Sequence, residues 1–304
     1  NLFKKTIITK NMLNKIIENI SRVIVGNNEK IKLTLAAIIS EGSILIEDFP
    51  GSGKTTFAKS ITNNLGFNFK RIQFTSDLLP SDILGFNIFS KDQLSFQKGP
   101  IFTNIVLADE LNRGSPKSQS AFLEAMEEKN VSIDGTTYQL PEPFFVIATQ
   151  NPMDSSGTSS LPDSQLDRFM ISFSLSDLKD KEKIIMLKNN INFTESKSSP
   201  IDWTLLKKKK MTINITDEIY QYVIEIEQII KSLEKEIYIS ARCLKQIIDL
   251  AKGWAMINDK DYVTHQDIKD ILPYILRHRI KFLNQDEKLD FINKDILEKI
   301  VIKK

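Results

Sequence analysis

The sequence is short of the residues that build redox and metal chemistry: among 304 residues there is one cysteine, Cys243, and there are two histidines, His265 and His278. One thiol cannot make a disulfide framework or a zinc site, so Cys243 reads as a small core residue. The histidines have no partners at ligand spacing and read as structural or solvent-facing. No apolar run approaches the roughly 20 residues needed to cross a bilayer, so no membrane span is expected. Charge of one sign is also lacking. The 41 Lys and Arg against 39 Asp and Glu leave +2, far from the basic excess of a dedicated nucleic-acid binder, and nucleic acid is unsupported as a partner. The chain begins at Asn1, with lysines nearby but no apolar core followed by a small-residue cleavage site. A trimmed or processed start, no signal peptide and a cytoplasmic location are therefore expected.

What is present fits an ordinary globular composition, on a chain long enough for two packed domains. Up to about Leu175, short β-rich apolar runs alternate with helical patterns, the signature of a parallel sheet covered by helices. Five strands are predicted: Ile44 to Ile46, Lys70 to Phe74, Ile105 to Asp109, Phe144 to Thr149 and Met170 to Phe173. From about Asp177 the strand signal ends. Ile219, Val223, Ile226 and Ile230, then Leu244, Ile247, Ile248 and Ala251, recur at helical spacing, and Trp254 sits on the same kind of apolar face. An α/β domain over 1–175 and a smaller all-helical domain over 176–304 follow, with the polar stretch Phe193 to Pro200 as an exposed connection. The lysine run Lys207 to Lys210 reads as a solvated helix end without function.

The segment Ile44-Leu45-Ile46-Glu47-Asp48-Phe49-Pro50-Gly51-Ser52-Gly53-Lys54-Thr55-Thr56 runs from a buried strand through a tight loop into a helix with Phe57, Ala58, Ile61 and Leu65 on one face. That context is what a phosphate-binding loop requires. Gly51 and Gly53 let the backbone approach phosphates, and the N–H groups of the loop after Pro50, from Gly51 to Thr56, supply positive dipole at the helix start. Lys54 reaches toward the β and γ phosphates of ATP, and Thr55 places its hydroxyl on Mg²⁺. The strict pattern has Gly where Asp48 stands, but both remaining glycines and the Lys-Thr pair are intact. Gly66 reads as the helix C-cap.

Hydrolysis also needs a held metal and an aimed water. The apolar strand Ile105-Val106-Leu107-Ala108 ends in Asp109-Glu110, two carboxylates at a strand's C-terminal end, where ligands collect in open α/β sheets. Asp109 is expected to orient Mg²⁺ through its water shell and Glu110 to polarise the attacking water. A third strand leads to Gln150-Asn151-Pro152, where Asn151 either hydrogen-bonds the water and the γ-phosphate or caps a turn.

With these residues in place, the chain resembles the MoxR family of AAA+ ATPases over nearly its whole length. The resemblance is carried by Val23-Ile24-Val25-Gly26, by Phe74-Thr75-Ser76-Asp77-Leu78-Leu79-Pro80-Ser81-Asp82 with Gly85, and by Ala108-Asp109-Glu110-Leu111-Asn112-Arg113. It continues in Gln119 to Met126, in Ala148-Thr149-Gln150-Asn151-Pro152 with Gly157 and Leu161-Pro162, and in Gln165-Leu166-Asp167-Arg168-Phe169. The helical domain adds Ser240-Ala241-Arg242, Asp261-Tyr262-Val263-Thr264 and His278-Arg279-Ile280. The resemblance implies a five-stranded P-loop core with a helical lid, and a ring of six subunits. It implies that Arg168 acts as an arginine finger and that Arg242 is a second sensor contacting the γ-phosphate from the lid. The Gly and Pro that often precede that sensor are replaced here by Ile239-Ser240-Ala241.

A finger completing a neighbour's site is worth about 10³ to 10⁵ in rate, or roughly 4 to 7 kcal/mol, and a head-to-tail interface of that kind must close into a ring. Arg168 could instead form a surface ion pair with Asp163 or Asp167, and Arg113 is an alternative finger. Val131 to Leu140 alternates around Asp134-Gly135, a hairpin signal; it is either a client-contacting projection, as in similar proteins, or a decoration of the sheet. The resemblance implies an ATP-driven, chaperone-like protein that remodels or matures partner proteins or inserts metals into them, often partners with von Willebrand A domains. Other readings are a nucleic-acid motor or loader and an ATP-gated scaffold with little turnover.

Overall fold

The computed structural model describes residues 2–90, 93–151, 161–175, 180–188, 198–233, 237–280, 283 and 285–299. Helices α1 (Leu2–Val23) and α2 (Asn28–Ile39) precede strand β1 (Ser43–Glu47) and helix α3 (Lys54–Leu65). Next come β2 (Phe69–Gln73), α4 (Pro80–Leu84), β3 (Gly85–Ser90), β4 (Gln93–Lys98), β5 (Ile105–Asp109) and α5 (Pro116–Glu128). After β6 (Asn130–Ile133), β7 (Thr136–Gln139), β8 (Phe145–Gln150), α6 (Asp163–Leu166) and β9 (Phe169–Phe173), every named element is helical. These are α7 (Asp180–Lys188), α8 (Trp203–Met211), α9 (Asp217–Ser232), α10 (Ala241–Ile257), α11 (His265–Leu276) and α12 (Gln285–Phe291).

The five strands foreseen from the apolar runs form one parallel sheet in the order β2-β5-β8-β1-β9. Strands β5 and β9 are buried at every residue, as continuous apolar runs covered on both faces should be. At the edge, β2 buries only Ile72. One face, through Ile44, Ile46, Leu107, Ile147, Ile171 and Phe173, packs against α1 to α3 and continues without a break into the helices after β9. The other face, through Leu45, Val106, Ala108, Val146 and Ala148, packs against Phe122, Leu123 and Met126 of α5. Phe74 lies just beyond β2 rather than in it, buried with its ring 5.3 Å from Phe122.

Local signals fix the helix ends. The αL backbone of Gly66 (φ 74°) closes α3, Ser115 caps α5 through the Ser118 N–H with Pro116 in the first turn, and Thr264 and Asp267 form a reciprocal capping box on α11. The helical region is docked closely on the α/β region. A Cβ at Gly253 of α10 would lie 2.6 Å from the Ala36 carbonyl oxygen, and the Ser40 hydroxyl donates to the Asp249 carbonyl at 2.7 Å. Trp254 and Cys243 are buried; burial pushes the Cys243 thiol up to about 11, the state of an inert core residue. His278 is buried against the Phe169 carbonyl, and burial together with the Arg279 charge holds it neutral.

Three features depart from the sequence reading. The pair β3–β4 is a second hairpin, docked on the foreseen β6–β7 hairpin by stacking of Phe96 on Tyr138 (4.1 Å) and by Asn87 donating to Asp134 (2.7 Å). The lysine run is not simply solvated. Lys207 pairs with Glu41 (2.6 Å) and Glu142 (2.8 Å), and Lys210 pairs with Asp249 (3.2 Å). Arg168, for which an ion pair with Asp163 or Asp167 was the alternative to a finger, pairs with Glu127 of α5. Pro152, Gly157, Asp177 and most of the Phe193–Pro200 stretch lie outside the described residues.

Candidate active site

Topology gathers the candidate residues. The loop after β1 carries Pro50 to Thr56, the tip of β5 carries Asp109 and Glu110, and β8, which lies between β5 and β1, ends at Gln150 with Asn151 next. The register aligns these tips, with Glu47 opposite Gln150 and Ala108 opposite Ala148. Loop, carboxylates and Asn151 therefore share the carboxyl ends of three adjacent parallel strands, where α/β sheets bind ligands.

The loop is shaped by its glycines. Gly51 (φ 86°) and Gly53 (φ 87°) adopt left-handed backbone that a side chain would strain, and Gly53 feeds directly into α3. Lys54 Nζ donates to the carbonyls of Asp48 (3.1 Å) and Phe49 (2.7 Å), arching over the loop. Ser52 Oγ is buried without a hydrogen-bond partner among the described residues, and an anion in the cradle would supply an acceptor. Asp48, the position that breaks the strict glycine pattern, is 1% exposed; its carboxylate accepts from the N–H of Phe49 (3.1 Å) and of Leu175 (2.8 Å), tying the loop to the chain leaving β9. The aspartate does a structural task that glycine cannot.

At β5, Asp109 is buried and doubly held. Its Oδ1 accepts from Thr149 Oγ1 at 2.6 Å, and its Oδ2 accepts from Arg71 Nε and Nη2 at 3.0 and 2.6 Å. Glu110 has left-handed backbone (φ 54°), unusual for a non-glycine residue; it turns the chain sharply out of the strand, and its N–H donates to Thr149 Oγ1. Its carboxylate accepts from Gln73 Nε2 (2.7 Å) and Arg113 (3.2 Å). Gln73, Arg71 and Thr149 were not singled out from sequence. The available signal was alternation: Arg71 and Gln73 are the outward positions of an edge strand ending level with Asp109.

The two arginines assigned by resemblance lie together. Arg168 Nε stands 3.1 Å from Glu127 Oε2, in an ion pair without hydrogen-bond alignment, and Arg242 donates to the other oxygen of Glu127. Asp167 is bound by Ser240 Oγ (2.7 Å) and Arg279 Nη2 (3.1 Å), with Arg242 at 3.5 Å. Arg242 is thus paired with Glu127 and Asp167, and Lys54 with the loop carbonyls of Asp48 and Phe49. The lid instead reaches the loop's own strand through Arg277, whose Nε is 3.8 Å from Glu47 Oε2, while Gln150 donates to Glu47 Oε1 at 2.7 Å.

A glycine-shaped loop running into a helix N-terminus, with an Asp-Glu pair on a neighbouring strand tip and a helical domain after the sheet, defines an ATPase of the AAA+ class. Comparison with known proteins agrees: the model of the AAA family of ATPases associated with various cellular activities matches residues 43–171, and that of the AAA lid domain matches 228–300. The chain belongs to the MoxR family of AAA+ ATPases. It is 39% identical to YeaC of Bacillus subtilis over 94% of this chain and 92% of that one, and 32% identical to the chaperone MoxR1 of Mycobacterium tuberculosis over 94% and 79%. A solved structure of a candidate ATPase from Cytophaga hutchinsonii matches with a TM-score of 0.84 and 33% identity, over 100% of this chain and 98% of that one. Among the described residues, no helix is long and apolar enough to cross a membrane.

Proposed function

We propose that the protein is a Mg²⁺-dependent ATPase, working in the cytoplasm as a head-to-tail hexameric ring, that uses hydrolysis to remodel or mature partner proteins. The observation that carries this reading is the shared position of the phosphate loop, Asp109-Glu110 and Asn151 at the tips of β1, β5 and β8. Pro50 to Thr56 would cradle the triphosphate, with Lys54 on its β and γ groups and the buried Ser52 hydroxyl as an added donor. Thr55 and Asp109 would hold the metal, which when bound neutralises charge on the β and γ oxygens. Glu110 orients the water and accepts its proton; Gln73 and Arg113 set the resting position of its carboxylate. Asn151 reports on the γ-phosphate from the strand between.

Arg168 and Arg242 are assigned to the triphosphate of a neighbouring copy. Arg168 is the finger that the family resemblance implies, and Arg113, paired with Glu110 at 3.2 Å, is the alternative. Arg242, a lid sensor of the γ-phosphate by resemblance, shares Glu127 with Arg168, which supports assigning it with Arg168 to the neighbour's triphosphate. The two hairpins, docked on each other through Phe96 and Tyr138, are assigned to client contact, and the family resemblance extends the client class to proteins with von Willebrand A domains and to metal-cofactor insertion.

Glu110→Gln tests the reading. Phosphate release should fall by at least about 10²-fold while ATP binding persists and assembled rings accumulate; unchanged turnover would refute the assigned role. A nucleic-acid motor would instead show hydrolysis stimulated by DNA or RNA and strongly suppressed by salt.

A further inference from the structure

Arg168 follows α6, Arg242 lies in the first turn of α10, and Glu127 lies in the last turn of α5, so three elements distant in sequence meet at one carboxylate. We propose that Glu127 is a positioning residue that holds Arg168 and Arg242 as a single two-guanidinium unit, delivered together to the triphosphate of a neighbouring copy. This rests on the reading of both arginines as acting on the neighbour.

The physical case begins with charge. Two guanidinium groups this close repel, and an arginine side chain has enough rotamers to splay away. A carboxylate with one oxygen for each arginine cancels half of that charge, hydrogen-bonding Arg242 and holding Arg168 beside it by ion pairing. Stability is a poor explanation for the contact. The side chains are 27% (Arg168), 41% (Arg242) and 35% (Glu127) exposed, and ion pairs this open contribute little to folding. The backbone at the finger is already anchored, because Asp167 is bound by Ser240 and Arg279. What remains for Glu127 is side-chain direction. Because Arg242 belongs to the lid and Arg168 to the α/β region, the shared carboxylate also makes the finger's aim depend on where the lid sits.

The test uses the full-length chain and steady-state ATP hydrolysis. Glu127→Gln, which keeps the shape and removes the charge, is expected to lower kcat about 10- to 100-fold, the scale of an ångström-sized misplacement of a catalytic group. KM for ATP should stay within about twofold, since the site in the same subunit is intact. Glu127→Asp, with its carboxylate on a shorter stem, should fall between the two. Mixing is the readout that a purely structural role would not move. Lys54→Ala subunits cannot use ATP but keep Glu127 and both arginines, so adding them to Glu127→Gln subunits should raise activity above the average of the two preparations. A kcat for Glu127→Gln within twofold of wild type, or a mixture no better than that average, overturns the proposal. If Arg168→Ala and Arg242→Ala themselves hydrolyse ATP like wild type, the neighbour-site reading fails and takes this one with it. That result is distinct from a normal Glu127→Gln beside crippled arginine variants.

Discussion

Replacing Asp48 with glycine would restore the strict phosphate-loop pattern, and the structure says that it should weaken the protein. The Asp48 carboxylate accepts from the buried N–H of Leu175 at 2.8 Å and from the N–H of Phe49 at 3.1 Å. Orphaning the first costs about 1–3 kcal/mol and losing the second about 0.5–1 kcal/mol. The added backbone freedom of glycine costs another 0.5–1 kcal/mol or so. The sum centres on about 3.5 kcal/mol. With an unfolding entropy of about 2.1 cal/mol/K per residue, that is a fall in melting temperature of roughly 5 °C for a chain of 304 residues. Asp48→Asn keeps one carbonyl acceptor and should lose about half as much. Calorimetry and urea unfolding without nucleotide give both quantities free of ligand stabilisation. A glycine variant melting within about 1 °C of wild type, well short of the shift worked out above, would refute the claim that the aspartate ties the loop to the end of β9.

Two further outcomes test the packing. The Glu41 carboxyl is pushed up by burial, but hydrogen bonds and charges from Lys129 and Lys207 outweigh this and hold it at about 2 instead of 4.5. A depressed folded-state value gives stability that is complete above pH 4.5 and lost as pH falls toward 2, so Glu41→Gln should flatten the acid limb of urea midpoints over that window; an unaltered limb would contradict the ion-pair assignment. Gly253→Ala, normally favourable in a helix, should instead destabilise by about 1–3 kcal/mol, because the new Cβ would press on the Ala36 carbonyl at 2.6 Å. A neutral or stabilising result in chemical denaturation would show that α10 and α2 are not packed so closely.

The strand tips of the candidate site were legible because parallel strands buried on both faces appear as unbroken apolar runs, and Asp109-Glu110 and Asn151 stand where such runs stop. The β6–β7 hairpin was legible from Asp134-Gly135, whereas β3–β4 was not, since Lys91-Asp92 between its strands lacks a glycine turn signal. Side-chain partners were least legible. Gln73 on Glu110 and Arg71 on Asp109 depend on strand register, and Glu127 on Arg168 and Arg242 depends on how three distant elements dock. Local spacing offered Arg168 the nearby Asp163 and Asp167, but Asp167 was already bound by Ser240 and Arg279. The tied lysines of α8 were hidden for the same reason, because Glu41 and Asp249 come from other elements.

The most direct test of the central claim is a structure of the assembled protein with Mg²⁺ and a non-hydrolysable ATP analogue. The expected result places Lys54, Thr55, Asp109 and Glu110 around the metal and the phosphates, with guanidinium groups of an adjacent copy facing the γ-phosphate. A nucleotide bound elsewhere, or those four side chains turned away from it, would contradict the account.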